Sequence, residues 1–325
     1  MSNAQELIDR RRLRRKLGFW RILAVIAVAA VFAAILLPAF GVGPGNWRLA
    51  GDMGGLGSSI ARVDIEGVVT EDDKLIELLD DLAKDDGVKG VILRVDSPGG
   101  TSVGGEAIFE AVRRLAEKKP VASEVGTLAA SAGYLIAAGS DHIVARQTSI
   151  VGSIGTIFQY VDASQLLGNV GVSVNAIKSA PLKAEPSPFA PAPEEAKEMI
   201  RRMVVDSYEW FVGIVANRRP IPLDEVRRLA DGSVFTGRQA LQNRLVDAIG
   251  GEIEVRRWLE NVRQVPKGLE IREREPKEDD GFGIFAGTRS MILKALGLDS
   301  GLFETTGLRG GMMALWRPDA GTTLP

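Results

Sequence analysis

The chain has 325 residues, of which 45% are hydrophobic and 25% charged, and this composition is typical of a globular protein. Residues 1–21 hold seven basic and two acidic residues, which leaves 33 basic and 40 acidic residues for the rest. Because the body is mildly acidic, nucleic acid is not expected as a partner. With no cysteine, the chain cannot use a thiol nucleophile, and a Ser-His-Asp triad would require the single histidine, His142.

The N-terminal basic cluster runs directly into a long apolar segment. The nineteen residues from Ile22 to Phe40 carry no charge, and a helix of this length roughly matches the hydrocarbon core of a bilayer. We expect a transmembrane helix, with residues 1–21 in the cytoplasm and the body on the other side. The alternative is a cleaved signal peptide, although the apolar core of such peptides is usually shorter. Residues 41–59 are rich in glycine and are expected to be a flexible linker.

Strand and helix patterns alternate after the linker. Residues 60–69 alternate between apolar and polar side chains, which predicts a strand, and residues 74–84 have helical periodicity. A short apolar run at 90–95 predicts a strand that ends in a turn at 96–100, and residues 103–118 predict a helix.

The alternation continues with predicted strands at 120–125, 142–145 and 172–177, and with a helix that begins near Ser131. It favours parallel strands joined by crossover helices. Residues 60–263 are therefore expected to form one α/β domain, and residues 264–325 a tail to which the sequence assigns no role. Further helices are predicted at 193–217, 223–230, 252–262 and after the N-cap Thr236.

Ser131 is the first candidate catalytic residue. It lies among small residues, Ala129-Ala130-Ser131-Ala132-Gly133, at the start of an apolar helix, where its hydroxyl could be an exposed nucleophile. The N–H of Ala132, near the helix N-terminus, could stabilise an oxyanion, and outward N–H groups of the Ser-Pro-Gly-Gly turn could provide a second donor. A packing role for Ser131 and a plain turn at Ser-Pro-Gly-Gly remain alternatives.

Lys183 is the candidate general base. A lysine acts as a base only when it is neutral, and burial away from carboxylates favours that form. Between Ser179 and Pro193 the only charged residues are Lys183 and Glu185. Glu185 could instead pair with Lys183, a loop lysine is usually solvated, and Lys178 is a competing candidate.

Together these segments resemble the signal peptide peptidase A family, the membrane-anchored Ser/Lys peptidases of the Clp protease and crotonase superfamily. The resemblance covers about residues 60–251 and departs at three positions, because the family commonly has Gly at the positions of Ala132 and Ala180 and often Asn at that of Asp96. It is carried by residues 94–100, 129–134, 140–145, 151–155 and 177–183, and by Phe235-Thr236-Gly237-Arg238-Gln239-Ala240 and Leu245-Val246-Asp247.

The resemblance implies an α/β fold built as a spiral of ββα units behind an N-terminal transmembrane helix. It also implies a role for each site residue: Ser131 is the nucleophile, Lys183 is the general base, Ser153 orients the lysine, and Gly100 and Ala132 form the oxyanion hole. No metal or organic cofactor is then required.

By the same resemblance the protein is a serine endopeptidase that cleaves residual signal peptides or other short apolar peptides through an acyl-enzyme. It would be anchored in the inner (cytoplasmic) membrane through residues 22–40, with the catalytic body on the extracytoplasmic side. Its length resembles the short form of the family, which implies a homo-oligomeric ring. The alternatives are a catalytically silent membrane scaffold and a crotonase-type acyl-CoA enzyme.

Overall fold

A computed structural model describes residues 57–277 and the short strand at 313–315. The described residues from Ser58 onward belong to one compact unit. The predicted transmembrane segment, most of the predicted linker and most of the predicted tail lie outside the described residues. Among the helices within 57–277, none is both long and apolar enough to cross a bilayer.

Strands and helices alternate as the sequence predicts. The strands are β1 (Ser59–Val69), β2 (Val88–Thr101), β3 (Val121–Ala130), β4 (His142–Ala145), β5 (Ile150–Gly152), β6 (Val234–Thr236), β7 (Ala248–Ile249), β8 (Glu270–Glu273) and β9 (Met313–Leu315). The helices are α1 (Asp73–Lys84), α2 (Ser102–Ala116), α3 (Ala132–Gly139), α4 (Ser164–Asn169), α5 (Glu194–Arg218), α6 (Leu223–Leu229), α7 (Gly237–Gln242) and α8 (Glu252–Asn261).

These strands form a nine-stranded mixed sheet in the order β6-β5-β3-β2-β1-β8, with β4 and β7 continuing from β3 and β9 paired to β2. The pairs of β1 with β2, β2 with β3, and β3 with both β4 and β5 are parallel. The predicted parallel sheet with crossover helices is therefore confirmed. The pairs β5–β6 and β2–β9 are antiparallel.

Alternate residues of the central strands pack in two separate hydrophobic cores. Val91 and Leu93 of β2 belong to the larger core, which also takes buried residues from α1, α2, α3 and α5. Ile92 lies between them in sequence and packs in the smaller core with Leu259 of α8. Because side chains of a strand point alternately to the two faces of its sheet, helices cover both faces and the central strands are buried.

Two local predictions are wrong. Residues 96–100 do not form a turn after a strand; they continue β2 as extended chain to Thr101, with irregular pairing to β1 and β3 around Asp96. Residues 172–177 form no strand and are exposed, although their apolar side chains fit the strand pattern. The predicted N-cap Thr236 is confirmed by a complete capping box on α7.

Candidate active site

Ser131 lies at a sharp strand-to-helix junction. It follows the last residue of β3 and precedes α3, and its backbone has φ 54° and ψ −118°. A non-glycine residue at positive φ is uncommon and costs energy, and such strain clusters at functional sites. A serine on a strained strand–helix turn is the arrangement that presents the nucleophile in α/β hydrolases. The junction therefore gives Ser131 the local geometry expected of a nucleophile.

A second serine occupies the matching position on the neighbouring strand. Ala130 of β3 is paired with Gly152 of β5, and each strand is followed by a serine at positive φ, 50° in the case of Ser153. The N–H of Ser131 donates to the carbonyl of Gly152 at 2.8 Å, and the N–H of Ser153 donates to the carbonyl of Ser233 at 2.7 Å. The fold thus brings Ser131 and Ser153 to adjacent strand ends.

The end of β2 is held against β1 and β3 by two side chains that the sequence analysis did not assign to the site. The Ser97 hydroxyl donates to the carbonyl of Gly67 at 2.6 Å and accepts the N–H of Gly99 at 3.1 Å. The Asp96 carboxylate accepts the N–H groups of Thr127 and Leu128, each at 3.1 Å, one on each oxygen.

An asparagine at position 96 would have only one oxygen to accept these two N–H groups. An aspartate at position 96 can therefore bind both N–H groups, although the resemblance leads one to expect asparagine there. The signal for this role was present in the sequence, in the Asp-Ser-Pro-Gly-Gly motif, but the partner N–H groups lie some thirty residues away and could not be identified from spacing.

Small residues allow α3 to lie close to β2 and α2. A Cβ added at Gly133 would lie 2.8 Å from the carbonyl oxygen of Ser97, and one added at Gly105 would lie 2.9 Å from the Cβ of Ala132. Gly105 therefore leaves the space that the methyl group of Ala132 fills. This contact accounts for Ala at a position where the resemblance leads one to expect Gly.

Helix α3 is completely buried, from Ala132 to Gly139. The hydroxyl of its buried Tyr134 donates to the carbonyl of Leu245 at 2.9 Å, and burial raises the pKa of Tyr134. Ala132 is the first helical residue, where the helix itself offers no carbonyl to the backbone N–H. Since a helix N-terminus also favours negative charge, the Ala132 N–H is suited to an oxyanion.

Gly100, the other predicted oxyanion donor, lies within β2 opposite Val69 of β1. A Cβ at this position would come within 1.8 Å of the Val69 carbonyl oxygen. Only glycine therefore fits here, and this end of β2 presents backbone rather than a side chain.

Lys183, the predicted base, lies in an exposed turn. Within the described part of the chain its amine makes no hydrogen bond or ion pair, and thus none with Ser131 or Ser153. Glu185 does not pair with Lys183; its carboxylate binds the amine of Lys178 and accepts the N–H of Ser187 at 2.9 Å. Hydrogen bonding to Lys178 lowers the pKa of Glu185. The ion pair thus occupies the competing lysine and leaves Lys183 without a carboxylate partner among the described residues.

His142 is far from Ser131. It is paired with Ala122 at the start of β3, whereas Ser131 follows the other end, nine residues away or about 30 Å at 3.3 Å per residue. Its ring stacks on Trp258 with centroids 4.8 Å apart, and its Nδ1 lies 3.7 Å from Asp247. Burial lowers the pKa of His142. A triad of Ser131 with this histidine is therefore excluded by the fold.

Known proteins are similar to this chain over half of its length or more. The sequence model of peptidase family S49 matches residues 113–266. A Methanocaldococcus jannaschii protein named as a candidate protease is 36% identical, over 81% of this chain and 88% of that protein. An Enterococcus faecium protein named as a candidate signal peptide peptidase is 38% identical, over 52% and 49%. The chloroplastic serine protease SPPA of Arabidopsis thaliana is 32% identical, over 60% and 30%.

Proposed function

Since the chain belongs to peptidase family S49, the signal peptide peptidase A family, and is a serine protease, we propose that Ser131 and Lys183 form its catalytic dyad. The substrates are residual signal peptides or other short, extended apolar peptides. The observation that carries the proposal is the backbone at Ser131, which holds a serine at positive φ directly before the N-terminus of a buried helix.

The reaction proceeds through an acyl-enzyme. Neutral Lys183 takes the proton of the Ser131 hydroxyl, and the serine oxygen attacks the scissile carbonyl carbon. The backbone N–H groups of Gly100 and Ala132 stabilise the resulting oxyanion. As the C–N bond breaks, the lysine ammonium returns the proton to the leaving amine. The same amine, which Ser153 orients, then activates the water that hydrolyses the ester.

The ion pair between Lys178 and Glu185 supports Lys183 as the base. A lysine held by a carboxylate is kept in its charged form, so Lys178 is unsuited to accept a proton. Lys183 lies only two residues from Glu185, yet the acid is engaged elsewhere. The structure of one chain leaves Lys183 exposed to water, and burial of this segment in an assembly would favour its neutral form.

Assembly into a homo-oligomeric ring is part of the proposal. Between the candidate site and α5, the chain exposes many large apolar side chains, and such a surface usually marks an interaction site. The most exposed of them are Val161, Leu166, Val170 and Ile177. The protein should therefore sediment as a closed ring of several copies, and an active monomer at micromolar concentration would contradict the assembly.

We also propose that residues 22–40 anchor the protein in the inner (cytoplasmic) membrane, with the catalytic body on the extracytoplasmic side. The support is the charge-free span and the arginines before it. Protease added to intact spheroplasts should digest the body. Protection there, with digestion in inverted vesicles, would reverse the topology.

The catalytic proposal is tested by variants of Ser131 and of the two lysines. Ser131→Ala and Lys183→Ala should each abolish hydrolysis of an apolar peptide, and the double variant should be scarcely worse, because groups that act as a unit are not additive. Lys183→Arg should also be inactive, since a guanidinium stays protonated. Lys178→Ala combined with Glu185→Gln is the matched control, which removes the neighbouring lysine together with its carboxylate partner and should keep most of the activity.

Labelling with a fluorophosphonate separates the remaining alternatives. A peptidase should be labelled at Ser131, and the label should be lost in Ser131→Ala. A folded protein without labelling or hydrolysis would indicate a silent scaffold, and turnover of acyl-CoA substrates without peptide hydrolysis would indicate a crotonase-type enzyme. Retained hydrolysis in Lys183→Ala would show that the base is another residue.

A further inference from the structure

Two arginines bind the C-terminal end of helix α3. The guanidinium of Arg218, the last residue of α5, donates from Nε to the carbonyl of Ala138 at 3.1 Å and from Nη2 to that of Ser140 at 2.9 Å. Arg113 of α2 donates from Nη1 to the carbonyl between them, that of Gly139, at 2.7 Å. Three consecutive carbonyls at the end of α3 are thus held by side chains of two other helices.

The last carbonyls of a helix have no partner within the helix, and those of α3 are buried with it. A buried carbonyl without a donor is costly, and the negative end of the helix dipole also favours a cation. Burial lowers the pKa of Arg218, and the nearby charge of Arg113 lowers it further. The carboxylate of Asp141, 3.8 Å from Arg113, offsets part of this repulsion. The fold therefore keeps two like charges close together at this helix end.

Helix α3 has few large side chains that could fix its position along its own axis. Helices interlock through ridges of side chains, but five of the eight residues of α3 are glycine or alanine. The neighbours approach it closely for this reason: a Cβ added at Gly139 would lie 3.0 Å from Cγ1 of Val112. The axial position of α3 therefore depends on polar contacts. Tyr134 holds the first turn through the carbonyl of Leu245, and the arginines hold the last turn.

The other end of α3 carries the proposed catalytic groups. Ser131 precedes the helix, and the N–H of its first residue, Ala132, is the proposed oxyanion donor. A helix of eight residues is only about 12 Å long, so a shift of its last turn is passed on to its first.

We propose that Arg113 and Arg218 are positioning residues, which fix α3 along its axis and so set where the Ala132 N–H meets the oxyanion. The inference rests on the proposed function, because it takes this N–H to be an oxyanion donor. A misplacement of about 1 Å can lower a rate about 10²-fold, and loss of a whole oxyanion donor lowers kcat about 10²–10³-fold. Since the donor acts mainly in the transition state, the effect should fall on kcat rather than on KM.

The test replaces Arg218 in two ways. Arg218→Lys keeps the charge, but an ammonium does not reproduce the planar fork that binds two carbonyls. Arg218→Ala leaves both carbonyls without a donor and should be the less stable variant. We expect kcat for an apolar peptide to fall about tenfold in Arg218→Lys and about 10²-fold in Arg218→Ala, with KM within about twofold of the parent.

Arg256→Ala is the matched control. It removes a guanidinium of α8 that donates to the carbonyl of Leu269 at 2.9 Å, and it should keep the kcat of the parent. In every protein kcat is expressed per active site, with the sites counted by fluorophosphonate titration. This count removes the loss of folded protein, which is the effect of an arginine that only stabilises the fold.

Three results would overturn the inference: a parental kcat in Arg218→Lys, a raised KM with unchanged kcat, or an equal fall of kcat in Arg256→Ala. If Arg218→Ala does not fold, Arg218→Lys decides alone.

Hydrogen exchange tests the anchoring of α3 without reference to activity. Relative to the amides of β2 in the same protein, those of residues 135–139 should exchange faster in Arg218→Lys than in Arg256→Ala. Equal relative exchange in the two variants would overturn the anchoring. If the difference is present but the parent hydrolyses no peptide, the proposed function fails while the anchoring stands.

Discussion

The contact between Gly105 and Ala132 predicts a compensating pair of substitutions. A Cβ at position 105 would lie 2.9 Å from the Cβ of Ala132 and 3.4 Å from Leu135, so Gly105→Ala crowds the first turn of α3. Ala132→Gly removes the methyl group that causes the conflict. The double variant moves one methyl group from α3 to α2 and should relieve the crowding.

The expected magnitudes follow from the environment of each site. Overpacking a core costs about 1–3 kcal/mol. Alanine in a helix is about 1 kcal/mol more favourable than glycine and offsets part of this cost. Gly105→Ala should therefore lower the free energy of unfolding by up to about 2 kcal/mol. Ala132→Gly loses one buried methyl group, or about 0.8 kcal/mol, together with some helix propensity. The double variant should be more stable than the sum of the single effects by about 1–3 kcal/mol, which is the crowding term it removes.

The same cycle reports on the proposed oxyanion hole. In Gly105→Ala, crowding should displace the N–H of Ala132. Loss of a complete oxyanion donor lowers kcat about 10²–10³-fold. A partial displacement should therefore lower kcat roughly tenfold, with little change in KM. Urea unfolding and peptide hydrolysis are measured on all four proteins. Additivity within about 0.5 kcal/mol, or a kcat that the double variant does not restore, would refute the reasoning.

Three further predictions concern buried charge. Asp247→Ala leaves buried Arg219 without its bidentate partner, whose contacts are 2.7 and 2.9 Å, and should cost about 3–5 kcal/mol in urea unfolding. Burial raises the pKa of Glu124, so the native state holds the carboxyl proton more tightly than the unfolded state does. The free energy of unfolding therefore falls as pH rises above about 4.3. Glu124→Gln should therefore be more stable than the parent at pH 7, and the difference should shrink below pH ~4. Burial lowers the pKa of His142, so stability falls as pH drops below about 6.5. His142→Ala should lose this slope in urea titrations and keep its peptidase activity; an unchanged slope would contradict the assignment.

Local patterns predicted most of the secondary structure. The alternation at 60–69, the helical periodicity at 74–84 and the long helix before residue 218 each depend on neighbouring residues, and each is present within one or two residues of its predicted bounds. The capping box at Thr236 is local in the same sense. Patterns of this kind are settled by the period of the apolar side chains.

The wrong predictions depend on partners that are remote in sequence. Asp96–Gly100 has the composition of a turn, but it is held in extended form by β1 and by N–H groups of β3. Residues 172–177 have a strand pattern, yet no described strand pairs with them. The role of Asp96 and the pairing of β9 with β2 were likewise invisible, because both join segments that spacing does not relate. The small residues around Ser131 were enough to identify it as a candidate nucleophile. Its positive φ could be known only from the structure.

The scarcity of side chains at the end of β2 has a consequence for inhibition. A compound that binds through the peptide groups of Gly99–Thr101 contacts backbone atoms, and every substitution except proline retains them. Replacing Gly100 to obstruct such a compound would place a Cβ 1.8 Å from the Val69 carbonyl oxygen, and replacing Gly133 would press on Ser97. Substitutions that exclude such a compound should therefore also impair folding or activity of the enzyme. Resistance mutations should arise less readily against backbone-directed peptidomimetics than against compounds that bind the exposed side chains of residues 156–190.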